Sequence, residues 1–255
     1  MAALQANTEF AHALWQPDPI VESEVDMEPH LQLLATLELP AEDGEPMESN
    51  WHRSALNLLI DIVQAHWRDR TDYFAGGNMF IYFSIEQVRR KFYRGPDFFV
   101  VKHVDGTRRR DSWVIWEEDG RYPNVIVELA SPLTVRTDLG LKKTLYEQTF
   151  RTAEYFCYNP ANGQLRGWQL VRDAYMELEP NPQGWLWSQE SELWLGGWDG
   201  EFQGQQERWV RMYAADGQLV LTRGISRTTG GVRCTARRTA CRKTPCVRHR
   251  RRIEH

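Results

Sequence analysis

Glu128 stands in Val125-Ile126-Val127-Glu128-Leu129-Ala130, a carboxylate inside an otherwise apolar run, and Gly95-Pro96-Asp97 leads into a second apolar run upstream. An acid buried in a strand is costly unless it is paired, protonated or bound to a cation. Two such acids aimed inward point to a hard divalent cation, with Mg²⁺ or Mn²⁺ favoured over zinc by carboxylate oxygen. An ion held this way keeps water in its shell and stabilises the charge that develops during phosphodiester hydrolysis. Lys142 is the third group. It falls within the apolar arc of the helix that follows the Glu128 strand, where an ammonium needs an anionic partner or must snorkel outward, and Glu128 is the natural partner.

These side chains are positioned by a short list of expected elements. Aromatic and β-branched content, with turns between, predicts strands over 79–83, 97–101, 113–116 and 123–130. Ser131-Pro132 ends the last of them, because proline cannot continue a central ladder. A helix is predicted over 51–68, capped by Ser49 or Asn50 after a turn at 41–46. At 100° per residue its apolar face gathers Trp51, Ala55, Leu58, Leu59, Ile62 and Val63, and His52 and His66 fall on the same face. Glu48 lies one turn before His52. The two fit the outer wall of a metal site, and equally a capping acid and a satisfied core histidine.

A second helix is predicted over 139–150, capped by Thr137 or Asp138, with Leu139, Leu141, Leu145, Tyr146 and Phe150 on the arc that holds Lys142. Lys143 lies at the edge of that arc. The loop 105–111 interrupts a hairpin and carries Arg108, Arg109 and Arg110, which can contact phosphates or be ordinary exposed loop arginines. Helix, strands and helix in this order indicate an α/β or α+β core.

Residues 155–158, 165–171, 185–187, 193–195 and 209–213 read as short strands separated by Asn-Gly, Gln-Gly, Gly-Gly and Asp-Gly turns. Six of the 11 tryptophans fall in this half, at Trp168, Trp185, Trp187, Trp194, Trp198 and Trp209. Only Arg172 and Arg208 interleave with them, so packing or a dimer surface is favoured over base stacking.

With 255 residues, 42% of them hydrophobic, the chain can bury a full core and is most simply one domain with extensions. It carries no apolar stretch of membrane-spanning length and no signal-peptide pattern, and reads as soluble and cytoplasmic. The net charge of -4 hides an asymmetry: residues 221–255 hold 11 Lys/Arg and one acid, leaving 20 basic and 34 acidic residues in the remainder. Such a tail is expected to be disordered by itself, and either holds nucleic acid through phosphates or is a solvated appendage. Cys234, Cys241, Cys246 and His249 lie there with spacings of seven, five and three residues, which miss the usual zinc-finger pattern. An acidic arm is expected over 1–30. The acidic body argues against tight binding of a polyanion, and sustains a second reading as a non-catalytic binding or regulatory module.

Pro96-Asp97, then Val-Ile-Val-Glu128-Leu-Ala-Ser131-Pro132, then Thr137-Asp138-x-Gly140-x-Lys142 and Glu154-Tyr155-Phe156-Cys157-Tyr158-Asn159-Pro160 resemble the Uma2 (DUF820) family of endonucleases, of cyanobacterial type. The segment from Glu48 to Arg53 and Gly184-Trp185-Leu186-Trp187 are similar as well, so the resemblance spans about residues 30–220. It implies the PD-(D/E)xK nuclease superfamily, whose core is a mixed sheet flanked by helices. Carried onto this chain, it makes Asp97 and Glu128 metal ligands with the Leu129 carbonyl in the same shell. The superfamily's Glu-x-Lys would put the lysine at position 130, which is Ala130 here. The catalytic lysine is displaced to the next helix, where Lys142 would orient the attacking water or stabilise the phosphorane. The expectation is therefore a restriction-endonuclease-like α/β domain over 31–220 with a Trp-rich β extension, a homodimer that hydrolyses DNA with Mg²⁺ or Mn²⁺.

Overall fold

The first predicted helix forms as α1, Asn50–His66, in the computed structural model, which describes residues 49–89, 95–132 and 134–222. Glu48, the arm at 1–30, the turn at 41–46, the tail from 223 onward and its cysteines lie outside the described residues. Ser49 caps α1 in extended conformation, and its hydroxyl accepts the His52 amide at 3.1 Å. Ala55, Leu58, Leu59, Ile62 and Val63 are fully buried along one face, as their spacing requires. Trp51 stacks between Tyr158 and Trp209 at the start of the helix.

The central layer is a six-stranded sheet of β1 (Tyr73–Gly76), β3 (Phe98–Lys102), β5 (Val125–Leu129), β6 (Glu154–Asn159), β7 (Gln164–Val171) and β8 (Ala174–Glu177), hydrogen-bonded in that order. Only β5 and β6 run parallel. Parallel neighbours need a crossover. It is supplied by α3 (135–148), a continuous helix of three segments: Val135–Thr137, a π turn at Asp138–Lys142, and Lys143–Gln148.

Alternation with period two sorts the sheet's side chains into two cores. Phe98, Val100, Val125, Val127, Leu129, Phe156 and Tyr158 face α1 and the second sheet. Phe99, Val101, Ile126, Ala130, Tyr155 and Cys157 face the other way, together with Tyr146 and Phe150 of α3. Glu128 sits between Ile126 and Ala130 in this alternation, so its position in the strand sends it into the α3 side.

The second sheet, β9 (Leu186–Ser188), β10 (Leu193–Phe202) and β11 (Gln205–Tyr213), is antiparallel in the order β11-β10-β9 and carries the Trp-rich extension. Its strands are longer than expected because Gly196-Gly197 and Asp199-Gly200 lie inside β10 and form no turn. Gly196 and Gly200 serve packing: a Cβ at Gly196 would sit 2.1 Å from the Trp185 ring, and one at Gly200 2.2 Å from Trp198.

Three other expectations change. The 79–83 run yields only β2 (Ile81–Tyr82), which pairs in parallel with β4 (Trp113–Val114), so no hairpin joins β3 to β4. Residues Ile115–Glu117 leave the strand as a 3-10 turn. Strands β1 and β8, the two edges of the main sheet, are too short and too mixed for period alone to reveal. A short helix α2 (Ile85–Arg89) follows β2. Leu58 is wholly enclosed between α1 and the main sheet. Leu58→Ala should therefore lower unfolding free energy by about 2–5 kcal/mol, read from urea denaturation; a loss below about 1 kcal/mol would show that this interface collapses to refill the cavity.

Candidate active site

The register of β3 and β5 brings the two acids together. Phe98 pairs with Val127 in the antiparallel ladder, and the next step places Asp97 across from Glu128. Residues directly opposite share a face. The Asp97 amide approaches Glu128 Oε2 at 3.4 Å. The Leu129 amide donates to Asp97 Oδ2 at 2.7 Å, and His52 Nε2 lies 3.0 Å from Asp97 Oδ1. His52 reaches the acid from the helix on the opposite face because Asp97 stands at the very start of its strand. Asp97 is thus more than one member of a repelling pair: its carboxylate satisfies a backbone amide and orients a ring.

From the other side, α3 delivers Lys142, whose Nζ lies 3.0 Å from Glu128 Oε2 and 3.0 Å from Asp138 Oδ1. Tyr146 Oη donates to Glu128 Oε1 at 2.7 Å, so both carboxylate oxygens of the buried acid have partners. Asp138 does not cap the helix as expected. It lies inside it at 1% exposure, after an N-cap position held by Thr134. The reason is the π turn, which widens the helical repeat over 138–142. A 100° wheel consequently misplaces Leu141, which is 56% exposed, and Asp138 turns toward the sheet in its place. The Tyr155 hydroxyl holds this turn by donating to the Asp138 carbonyl at 2.8 Å.

Three carboxylates therefore surround one ammonium, with His52 beside them, and the balance favours additional positive charge. Burial pushes the Glu128 carboxyl well above the usual range; the nearby Lys142 opposes this, while Asp97 and Asp138 add to it. Burial also pushes Asp97 upward, but the hydrogen bond and charge of His52, with Lys142 and the Leu129 amide, hold it below the usual range. The Lys142 ammonium is pulled down by burial and pulled up more strongly by Glu128, Asp97 and Asp138, so it stays charged. Burial raises Tyr146 far enough to keep it a proton donor.

The donor set suits a hard cation. Among the described residues no three or more His, Cys, Asp or Glu side chains form a group that could hold a metal ion. A magnesium ion does not require three, since it retains several waters and is commonly bound by one or two carboxylates. Leu129 directs its amide at Asp97, and the amide and carbonyl of one strand residue face the same side, which turns its carbonyl toward the acids.

The other predicted residues lie elsewhere. The loop with Arg108, Arg109 and Arg110 follows the far end of β3, separated from Asp97 by the strand's length. The Arg110 side chain is 3% exposed, pairs with Glu118 at 2.7 Å and lies over the Phe74 and Trp113 rings. Arg108 pairs with Glu117 and Glu118, and Arg109, 90% exposed, with Asp111. Arg108 and Arg110, but not Arg109, line an acidic-rimmed cavity of about 350 Å³ with Asp72, His103 and Glu118. Lys143 leaves the site and lies over the Trp168 and Tyr175 rings. Sequence reasoning missed Asp138 and Tyr146 as site residues. Their signal was their spacing from Lys142, four residues to either side, which places all three along one side of a helix.

The fold and these residues define the class: an α/β protein with a restriction-endonuclease-like mixed sheet, carrying two acids and a lysine where β3 begins and β5 ends. The chain belongs to the Uma2 family, whose profile, described as "Putative restriction endonuclease", matches residues 35–198. A solved structure of a "putative nuclease belonging to DUF820" from Anabaena variabilis ATCC 29413 is similar at 13% identity over 63% of this chain and 89% of that one, with a TM-score of 0.43. No curated protein matches the chain. No helix among the described residues is long and apolar enough to cross a membrane.

Folded Glu128 retains its proton to a higher pH than the unfolded chain, so the native state binds more protons over that interval and loses stability as pH rises. Glu128→Gln removes the dependence. From about pH 5 to about pH 8 in chelator, the melting temperature of wild type should fall further than that of the variant; parallel curves would mean that Glu128 is ionised throughout.

Proposed function

We propose that this protein is a Mg²⁺-dependent endonuclease that hydrolyses phosphodiester bonds in DNA, with Mn²⁺ as an alternative ion. The observation that carries the reading is the pairing of Asp97 and Glu128 across the β3–β5 ladder with the Lys142 ammonium 3.0 Å from Glu128. Membership of a family described as "Putative restriction endonuclease" supports it. Asp97, Glu128 and the Leu129 carbonyl would hold the cation. Bound there, it would supply Lewis-acid stabilisation of the phosphoryl oxygens and a water of lowered pKa.

The chain's own groups have separate tasks in this reading. Asp97 is held in orientation by the Leu129 amide and His52, and Glu128 by Tyr146, so the two acids are fixed before a ligand arrives. Lys142 presents a permanent positive charge where charge develops on the scissile phosphate, and can orient the attacking water. His52 positions Asp97, and the arginine loop takes no part at this centre. A homodimer belongs to the same proposal, supported by the partly exposed Trp187, Trp194 and Trp198 of the second sheet and Trp185 just before it.

The excess of 34 acids over 20 basic residues in residues 1–220 favours a second reading, a nuclease fold that binds or regulates without cleaving. Two measurements on the full chain separate them. Mn²⁺ titration by calorimetry should show binding in wild type and none in Glu128→Ala, and plasmid cleavage with Mg²⁺ should fall at least about 100-fold in Asp97→Asn and Lys142→Met and cease in chelator. Metal binding without cleavage of any DNA form would favour the non-catalytic module.

A further inference from the structure

Asp138, 3.0 Å from the Lys142 ammonium, has no task in the reading above. We propose that Lys142 is the resident counter-ion of the Asp97–Glu128 pair in the metal-free protein, and that Asp138 is the positioning residue that keeps the lysine in the site when a divalent cation takes Glu128. The inference rests on the metal-site reading above.

The geometry has three parts. First, lysine and cation need the same oxygen. Lys142 holds Glu128 Oε2, which is also the oxygen that the Asp97 amide approaches, so a cation held by Asp97 and Glu128 would compete with the ammonium for it. Second, Asp138 offers the lysine somewhere to remain. Its Oδ1 is buried and lies 3.0 Å from Nζ, yet accepts no hydrogen bond, so the ammonium charge is what compensates it. Third, Asp138 is held in place through its own backbone, by the Tyr155 hydroxyl and the π turn, and depends on neither Glu128 nor Asp97 for its position.

A divalent ion beside Glu128 repels the ammonium, and a flexible lysine without an anchor would swing out to water. Anchored at Asp138, it moves only from a shared position between two carboxylates to one of them. Asp138 thereby makes metal binding less costly without touching the metal, and leaves a cation beside the reacting phosphate.

The test is a double-mutant cycle on the full chain with Lys142→Met, Asp138→Asn and the double variant. Without metal, Lys142→Met orphans a buried carboxylate, so its melting temperature should fall, and adding Asp138→Asn should recover a large part of the loss. Additive losses would show that the two residues are not paired, which overturns the proposal whether or not metal binds. In calorimetric titration with Mn²⁺, Lys142→Met should bind about tenfold more tightly than wild type, since the competitor is gone. Asp138→Asn should weaken binding about tenfold in the wild-type background and less than about threefold when Lys142 is already Met. An equal loss in both backgrounds would make Asp138 a ligand or a general source of field, and would overturn the proposal. Absence of binding in both wild type and Lys142→Met would overturn the metal reading and this inference with it, even where the melting cycle succeeds.

Discussion

A carboxylate with no exposed surface, on the central strand β5, is the constraint around which this molecule is arranged. Glu128 cannot be hydrated, so its compensation has to come from the protein: an ammonium on one oxygen and a phenol on the other. Both donors come from α3, and α3 exists where it does because β5 and β6 are parallel and need a crossover. The topology that buries the acid also brings the groups that make its burial tolerable. A helix placed elsewhere would leave Glu128 uncompensated, and a sheet antiparallel at this point would need no helix.

The opposite face contributes through a longer chain of contacts. His52 reaches Asp97 only because the start of α1 is held in place, and it is held by the second sheet: Trp51 stacks on Trp209, and Ser54 donates to Gln203 at the β10–β11 turn. The Trp-rich extension thus acts on the site at a distance, as support for the residue that orients Asp97. Trp185 and Trp198 are accommodated by Gly196 and Gly200 within β10, where any side chain would collide with a ring.

Charge is distributed in the same economical way. Arg110, part of the most basic run in the folded body, is spent on a buried ion pair with Glu118 and on two aromatic faces. Arg166 is paired with Glu177 and Arg208 with Asp199. Among the described residues, Lys142 is the basic side chain paired with Glu128 at the Asp97–Glu128 centre.

Much was legible without the fold. The isolation of Glu128 in an apolar run, Asp97 at a strand entrance, the faces of α1, the inward lysine and the order of strands follow from period and from the cost of burying charge, which act locally along the chain. Pairing does not act locally. That Asp97 stands opposite Glu128 depends on which residue of β3 meets which of β5, and a single step of slip would send one acid to the other face. That Asp138 is buried depends on a π turn, which a regular wheel cannot represent because the extra residue changes the repeat. That Arg110 is structural depends on Glu118 and Phe74 arriving from segments on either side of it in sequence. The sequence by itself determined which residues had to find partners; only the tertiary structure decided which partners they found, because register, helical repeat and side-chain reach are settled by packing between segments that the chain separates.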